Sequence, residues 1–230
     1  MLEIIYQDQY LIAINKPHGL LVHRSKIAAQ VDTFALQLLR DQIGQPVYPS
    51  HRLDRKTGGV LLFALQKSWD GPCQFVFQDP NTIKNYLAIV RGFTPSTGRI
   101  DYPLRKGNGS LQEAITLYTT LAQSEIPYPS GKFPTSRYSL ALIQPESGRM
   151  HQIRKHFAHI FHPIIGDRPH GCNKQNRMWK EIFNLDTMLL HAHSLTFTHP
   201  VTKARIHLKA QVQTDFTSAL EILNMNLNMI

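Results

Sequence analysis

The chain has few cysteines and no long apolar run, and both shortages restrict its class. Its 230 residues include two cysteines, Cys73 and Cys172, which are far apart in sequence and form no Cys-x-x-Cys pair. We therefore expect two free thiols in a reducing compartment and no disulfide. No apolar stretch approaches the roughly 20 residues of a membrane-spanning helix, and Glu3 and Asp8 interrupt the N-terminus where a secretory signal would be apolar. These features predict a cytoplasmic protein.

Acidic residues are also scarce relative to basic ones. The chain has 16 Asp and Glu against 25 Lys and Arg, a formal net charge of +9 and a sequence pI near 9.7. Such a balance suits a polyanionic partner. Nucleic acid is favoured over a membrane surface because no basic amphipathic helix with a broad apolar face is present.

The order of the apolar patterns predicts an α+β fold. Alternating or continuous apolar runs predict strands, and apolar residues at helical spacing predict helices. Without repeats or linkers, we expect one domain over residues 1–230, with a mixed, mostly antiparallel sheet flanked by helices and loops. The predicted strands cover residues 2–6, 10–15, 60–65, 83–90, 114–120 and 137–144, and two more flank the turn at residues 199–203. The predicted helices cover residues 33–43 with Asp32 as the cap, a segment from 148 to Pro163, and residues 214–225.

Segments rich in glycine, proline and polar residues predict loops. They cover residues 94–110, 124–134 and 167–185, and the last of these is predicted to be a long functional loop. Residues 68–78 are ambiguous because Gly71 and Pro72 interrupt a helical pattern.

The sequence HRLDRKTGG at residues 51–59 carries the clearest chemical signal. Three cations surround the carboxylate of Asp54 in sequence, namely Arg52, Arg55 and Lys56. Neighbouring positive charge favours the ionised form of a carboxylate. The two glycines can take positive φ and make a tight turn before the apolar strand that follows. The same loop could be a solvated basic turn in which Asp54 forms a surface ion pair.

This string resembles the active-site motif of the RluA family of pseudouridine synthases, from HRLD through Thr57 and Gly59 to LLFA at residues 61–64. In that family the aspartate is the catalytic residue, which implies this role for Asp54. Where the family usually has Thr-Ser-Gly, the chain has glycine at position 58. The departure removes one hydroxyl but retains Arg52 and Asp54.

Three further stretches resemble family motifs, in the order in which the family carries them. KNYLAIVRG at residues 84–92 resembles the strand whose tyrosine stacks on the target base, which implies this role for Tyr86. GRMHQIR at residues 148–154 resembles the motif whose last arginine pairs with the catalytic aspartate, which implies that Arg154 does so. LLHA at residues 189–192 resembles a strand that lines the pocket and includes Leu190. Taken singly, a strand tyrosine or a helix-surface arginine is ordinary.

The resemblance implies the pseudouridine synthase catalytic fold and the isomerisation of uridine to pseudouridine in structured RNA, without a cofactor or a metal. The context of the motifs most resembles relatives that modify uridine 65 in the T stem of tRNA, with ribosomal RNA as the alternative substrate. Because a stacked base is inaccessible, the target must be flipped out, and relatives place the equivalent of Arg52 in the vacated position. Lys16, Lys84 and Arg149 are expected phosphate contacts, and His51 is expected beside the substrate.

An S4-type RNA-binding module, common in relatives, is not recognisable in the chain. We therefore expect the catalytic domain to hold RNA with its own basic surface, as a monomer without an obligatory protein partner. A non-catalytic RNA-binding or RNA-folding protein on the same scaffold is one alternative. A histidine-ligated metallohydrolase is another, because His159 and His162 have i,i+3 spacing. The missing HExxH sequence, and the cations Arg154 and Lys155 nearby, argue against that metal site.

Overall fold

The computed structural model describes residues 1–23, 33–129 and 132–227. The chain divides into two compact units, and each unit combines two separate stretches of sequence. Unit 1 comprises Met1–Lys84 and Ala192–Val212, and unit 2 comprises Asn85–His191 and Gln213–Ile230. Within the described ranges, no helix has both the length and the apolar character needed to span a membrane.

The described residues form an α+β fold with twelve strands and five helices, which confirms the predicted fold class. In chain order the elements are β1 (Glu3–Gln7), β2 (Leu11–Lys16), α1 (Ala35–Ile43), β3 (Tyr48–Pro49), β4 (Gly58–Ala64), α2 (Lys67–Val76), β5 (Ile83–Arg91), β6 (Thr97–Asp101), β7 (Leu104–Arg105), β8 (Leu111–Gln112), β9 (Ile115–Ile126), β10 (Ser136–Pro145), α3 (Gln152–His159), α4 (Asn173–Phe183), β11 (Leu190–Thr198), β12 (Arg205–Lys209) and α5 (Thr214–Ile222).

Unit 1 contains a sheet in the order β1-β2-β4-β11, with β3 against β4 and β12 against β11. The pairs β1–β2, β2–β4, β3–β4 and β11–β12 are antiparallel. All residues of β2 and β4 are buried, which explains why both strands have nearly continuous apolar sequences. The register places Lys16 opposite Gly59. The end of β2 and the loop that carries Asp54 therefore meet at the same end of the sheet.

The apolar core of unit 1 joins strands that lie far apart in sequence. Leu62 of β4 packs in one cluster with Leu195 and Phe197 of β11, and α2 adds Cys73 and Val76 to the same cluster. This packing anchors the strand that directly follows the Asp54 loop.

Unit 2 contains a sheet in the order β5-β10-β9-β6, in which every pair is antiparallel. Tyr86 on β5 lies opposite Ile143 on β10. Helix α3 packs Ile153 and Phe157 into a cluster that also contains Leu190. The strand and the helix that carry Tyr86 and Arg154 thus share one apolar core.

Several predicted elements are confirmed. The first two strands form the expected antiparallel pair, and β4, β5 and β10 occupy the predicted segments. Helix α1 begins at Ala35 and ends at Ile43, and the φ of 70° at its C-cap residue Gly44 permits the left-handed cap. The predicted cap, Asp32, lies outside the described residues.

Three of the loop and strand assignments were wrong. Residues 94–110 include β6 and β7, and β9 continues to Ile126. The part of β9 beyond the predicted strand is polar. In this part, Glu125 lies opposite Arg137 on β10 and accepts a hydrogen bond from its Nε at 2.9 Å. Residues 167–185 contain the eleven-residue helix α4. Residues 68–78, which the sequence left ambiguous, lie mostly in α2.

Candidate functional site

The Asp54 loop lies in unit 1 between β3 and β4. The backbone N–H of Thr57 donates to the carbonyl oxygen of Asp54 at 3.0 Å, which closes a tight turn. Asp54 is half-buried, while Arg52 and Arg55 are exposed. The loop therefore presents a carboxylate next to exposed cations at the end of a fully buried strand.

The end of β2 and the turn that follows it hold this loop in place through three hydrogen bonds. Lys16 Nζ donates to the carbonyl oxygen of Arg55 at 3.2 Å, and Arg55 Nε donates back to the carbonyl oxygen of Gly19 at 2.9 Å. His18 Nδ1 donates to the carbonyl oxygen of Lys56 at 2.8 Å. Two segments that are distant in sequence thus hold the backbone on the C-terminal side of Asp54.

Lys16 is fully buried, and its ammonium group is bound by backbone oxygens. Besides the bond to Arg55, Nζ donates to the carbonyl oxygens of Pro17 at 2.9 Å and Leu20 at 2.8 Å. Burial lowers the pKa of Lys16 to about 7, and the negative charge of Asp54 acts in the opposite direction. A side chain with no exposed surface is not placed to contact a phosphate, so the role expected for Lys16 is corrected to that of a loop anchor.

The two glycines after Thr57 lie in β4 and not in the tight turn that the sequence predicted. Only Gly59 has positive φ, at 108°. A Cβ at this position would lie 2.1 Å from the carbonyl oxygen of Ala192. Glycine is therefore required because β11 approaches the backbone, and Ala192 is the last residue of the LLHA motif.

His51 holds the start of the loop against β4. Its Nε2 accepts a hydrogen bond from the backbone N–H of Leu62 at 3.1 Å, and its ring stacks on Phe77 with centroids 4.1 Å apart. Burial lowers the pKa of His51 to about 3, and the positive charge of Lys84 adds to this effect. His51 is therefore neutral at physiological pH, and its ring is engaged by the protein on one nitrogen and one face.

Lys84, at the start of β5, is half-buried, and burial lowers its pKa. Its charge acts on His51, so the structure brings two of the predicted substrate-binding residues into one neighbourhood. The predicted phosphate contact of Lys84 stays a prediction.

In unit 2, Arg154 on α3 forms a buried ion pair with Asp167. Nε contacts Oδ2 at 2.7 Å and Nη2 donates to Oδ1 at 2.8 Å, with the two side chains 8% and 1% exposed. The backbone N–H of His170 also donates to Asp167 Oδ1, at 3.3 Å. Bidentate arginine–carboxylate pairs of this kind fix the guanidinium plane. The expected pairing of Arg154 with Asp54 stays a prediction, and Asp167 is a site residue that the sequence analysis missed.

The GRMHQIR motif forms the start of α3. His151 has a left-handed φ of 56° immediately before the helix. Gln152 is buried, accepts from the backbone N–H of Arg149 at 3.0 Å and donates to the carbonyl oxygen of Ile115 at 2.9 Å. This glutamine ties the helix start to β9. Arg149 is exposed, as its predicted phosphate contact requires.

Tyr86 and Leu190 lie on the sheet of unit 2 and differ in exposure. Tyr86 is half-buried and packs against the apolar cluster that contains Leu190 and Ile153. Leu190 is only 3% exposed. Tyr86 is therefore partly accessible to solvent, whereas Leu190 is mainly a core residue.

The histidines that suggested a metal site have other contacts. The ring of His159 stacks on Tyr102 with centroids 3.7 Å apart, and His162 Nδ1 donates to the carbonyl oxygen of Arg91 at 2.8 Å. Among the residues that the structure describes, no group of three or more His, Cys, Asp or Glu side chains could hold a metal ion.

The chain is similar in sequence and in fold to known pseudouridine synthases. The family described as RNA pseudouridylate synthase matches residues 10–159. A tRNA pseudouridine synthase C from Pasteurella multocida (strain Pm70) is 46% identical, with 100% of this chain and 99% of that protein aligned. The protein of the same name from Haemophilus influenzae is 46% identical over 91% of this chain and 92% of its own length. The solved structure of human RNA Pseudouridylate Synthase Domain Containing 4 has a TM-score of 0.74 and 25% identity, and covers 98% of this chain and 94% of that one.

Proposed function

Because the chain belongs to the RNA pseudouridylate synthase family and is an isomerase of uridine in RNA, we propose that its substrate is tRNA and that it acts on uridine 65 of the T stem. The tRNA assignment is supported by the names of relatives that are 46% identical over nearly their whole length. The position within tRNA rests on the resemblance of the motif context.

The reaction exchanges one bond for another within the nucleotide. The bond between uracil N1 and ribose C1′ breaks, the base rotates, and a bond between C5 and C1′ forms. The hydrogen on C5 leaves as a proton and N1 takes one up, so no redox partner or group donor is needed. Asp54 acts at C1′, on the base or on a sugar proton, and each of these roles requires an ionised carboxylate held in place.

The single observation that carries the proposal is the anchoring of Asp54. Three hydrogen bonds hold this loop to Lys16, His18 and Gly19, and the loop leads directly into the buried strand β4. Exposed Arg52 is free to enter the RNA helix in place of the flipped uridine. Tyr86 stacks on the base, and Arg154 pairs with Asp54, as the family motifs imply.

Three further features belong to the same proposal. The chain acts as one catalytic domain, as a cytoplasmic monomer and without an obligatory protein partner. Its net charge of +9 provides the surface that attracts tRNA. Arg149 and Lys84 contact backbone phosphates of the RNA.

Release of tritium from tRNA transcripts labelled at uridine C5 tests the function directly. We expect release by the wild type and a loss of at least about a hundredfold in Asp54→Asn, the scale of a positioned proton-transfer or nucleophilic group. Asp41→Asn is the matched control, because Asp41 is an exposed aspartate paired with Arg40. A transcript with cytidine at position 65 should release no tritium from that site.

Each alternative gives a different result. Turnover retained by Asp54→Asn would remove Asp54 from the mechanism. Release from ribosomal RNA but not from tRNA would replace the substrate. Tight binding of tRNA with no release from any RNA would identify a non-catalytic RNA-binding protein.

A further inference from the structure

Unit 2 contains a pocket of about 340 Å³ beside helix α4. One face of the helix lines it with residues at i, i+3, i+4 and i+7 spacing: Asn173, Asn176, Arg177 and Lys180. The opposite wall consists of Gly166, Arg168 and Asp186. The pocket is separate from the residues that the family motifs identify.

Positive charge dominates this pocket. Arg168, Arg177 and Lys180 are all exposed, and Asp186 is the one carboxylate in the lining. Lys180 Nζ lies 4.0 Å from Asp186 Oδ2 with both side chains about 60% exposed, a geometry that contributes little attraction. In the described part of the chain, neither arginine forms an ion pair within 4.0 Å. Three cations around one concave site repel one another unless an anion lies between them.

The walls of the pocket are rigid. Asn176 Oδ1 accepts from the backbone N–H of Gly166 at 2.8 Å, and its Nδ2 donates to the carbonyl oxygen of Asp167 at 2.7 Å. A Cβ at Gly166 would lie 2.0 Å from the carbonyl oxygen of Thr187, so the two loops are in close contact. The same loop provides the carboxylate that holds Arg154.

The direction of α4 adds to the attraction for an anion. Asn173 is the first residue of this eleven-residue helix, and the N-cap residue Cys172 makes no side-chain capping hydrogen bond. The positive end of the helix dipole therefore lies at the pocket with its first N–H groups uncapped by a side chain. No aromatic side chain is present in the lining, so the pocket offers charge and amide donors but no stacking platform for a base.

We propose that Arg168, Arg177 and Lys180 form a subsite for a backbone phosphate of the RNA substrate, outside the contacts that the family motifs imply. The proposal rests on the proposed function, since it names one more contact with the same RNA. A phosphate held here positions the RNA next to the loop that carries Asp167, and it contributes affinity without reading the sequence.

The dependence of tRNA binding on salt tests the subsite. In the triple variant Arg168→Ala, Arg177→Ala and Lys180→Ala, we expect the slope of log affinity against log salt to become shallower by about 0.7–0.9 for the lost phosphate contact. We also expect affinity at low salt to fall by about fivefold or more. In turnover, KM for tRNA should rise by the same factor, while kcat at saturating tRNA stays unchanged.

The control is a second triple variant with the same change of charge, Arg40→Ala, Arg99→Ala and Lys203→Ala. These cations are also exposed and lie outside the pocket. A variant with Arg168→Lys and Arg177→Lys retains the charge and should retain most of the slope. Thermal melting of all variants checks folding, and single Arg168→Ala replaces the triple variant if the latter is unstable.

An unchanged slope and KM in the pocket variant would overturn the subsite, as would an equal change in the control triple. Stabilisation of the wild type by inorganic phosphate that the pocket variant loses, with equal tRNA binding by both, would assign the pocket to a free anion and overturn the RNA subsite. The proposed function has a separate test. It fails if the wild type releases no tritium from tRNA, whatever the dependence of tRNA binding on salt.

Discussion

Lys16 places its ammonium group among three backbone carbonyl oxygens at the end of β2. A buried charge is costly unless its donors are satisfied, and here all three bonds also hold loop segments. The side chain joins the turn at Pro17–Leu20 to the backbone next to Asp54. Its contribution to the site is therefore the position of the carboxylate, with the charge of Asp54 favouring the protonated amine.

The burial of Lys16 predicts a pH dependence of stability. Its pKa is about 7 in the folded chain and 10.5 for an unperturbed lysine. Between these values the unfolded chain binds more protons than the folded one, so this residue makes stability rise as the pH increases from 7 towards 10.5. Below pH 7 both states are protonated and the effect is constant.

The test compares Lys16→Met with Lys203→Met, a matched substitution of an exposed lysine. We expect the free energy of unfolding, measured with urea, to rise less steeply with pH in Lys16→Met than in the wild type and in Lys203→Met. Parallel profiles for all three proteins would contradict the low pKa of Lys16.

The ion pair of Asp167 with Arg154 predicts a large loss of stability in Asp167→Ala. Removal of this carboxylate deprives the buried guanidinium of Arg154 of its bidentate partner, and breaking a buried ion pair typically costs about 3–5 kcal/mol. The measurement is the free energy of unfolding in urea. Asp41→Ala is the control, because the exposed pair of Asp41 with Arg40 should change stability by less than about 0.5 kcal/mol. Similar losses in the two variants would show that Asp167 is not paired in solution.

Sequence reasoning found the residues that lie in contiguous motifs and missed those that act through the fold. Asp54 and Arg52 are recognisable because the whole loop is one string of sequence. Asp167 is thirteen residues from Arg154 in a segment assigned to a loop. One signal was present: Asp167 follows the apolar stretch Ile164–Ile165 after a single glycine, and a carboxylate so close to an apolar stretch needs a partner if it is buried.

At the scale of single elements, β4 and β11 approach each other so closely that Gly59 cannot carry a side chain. We expect Gly59→Ala to destabilise the chain severely, because its Cβ would lie 2.1 Å from a backbone oxygen and its φ of 108° is strained for any L residue.

Gly71→Ala is the opposite case and serves as the control. Gly71 lies inside α2 with nothing within 4 Å of the new Cβ, and alanine is favoured over glycine in a helix by about 0.5–1 kcal/mol. Urea unfolding should therefore show stabilisation in Gly71→Ala. Tolerance of alanine at both positions would contradict the close contact of the strands.

Two helices were missed for identifiable reasons. Gly71 and Pro72 read as helix breakers, yet α2 persists because Cys73 and Val76 are buried in the core. Asp70 of the same helix also accepts bonds from Lys67 and Gln74.

Helix α4 buries Gln175 and Trp179 at i,i+4 spacing. Gln175 accepts from the hydroxyl of Tyr138 and donates to Ser136 Oγ at 3.1 Å. Because the buried residue at position 175 is polar, the sequence of α4 lacks the apolar residue that would have revealed its helical spacing.

At the scale of the whole molecule, the sequence order of the two units predicts the effect of truncation. The core of unit 1 requires Leu195, Phe197 and Leu208, which lie in its second stretch. A chain that ends at residue 191 should therefore leave residues 1–84 without a stable core. Trp69 packs against this core and Trp179 lies in unit 2, so tryptophan fluorescence in a Trp179→Phe background reports on unit 1 alone.

In the shortened chain, we expect the fluorescence emission of Trp69 to match that of an exposed tryptophan. In the full chain, it should match that of a partly buried one. Native emission and a cooperative urea transition in the shortened chain would show that the first stretch folds by itself.

The division of unit 1 into two stretches has a consequence during synthesis on the ribosome. Strand β4 leaves the ribosome early, but its neighbour β11 follows more than a hundred residues later. At the usual pace of translation that interval lasts roughly 6–25 s. Throughout it, β2 covers one edge of β4, and the part of the other β4 edge that β3 does not cover is available for pairing with other nascent chains. The rate at which the ribosome reaches residue 198 therefore sets how long each new copy is exposed to aggregation, and slow codons between β4 and β11 would lower the yield of folded enzyme.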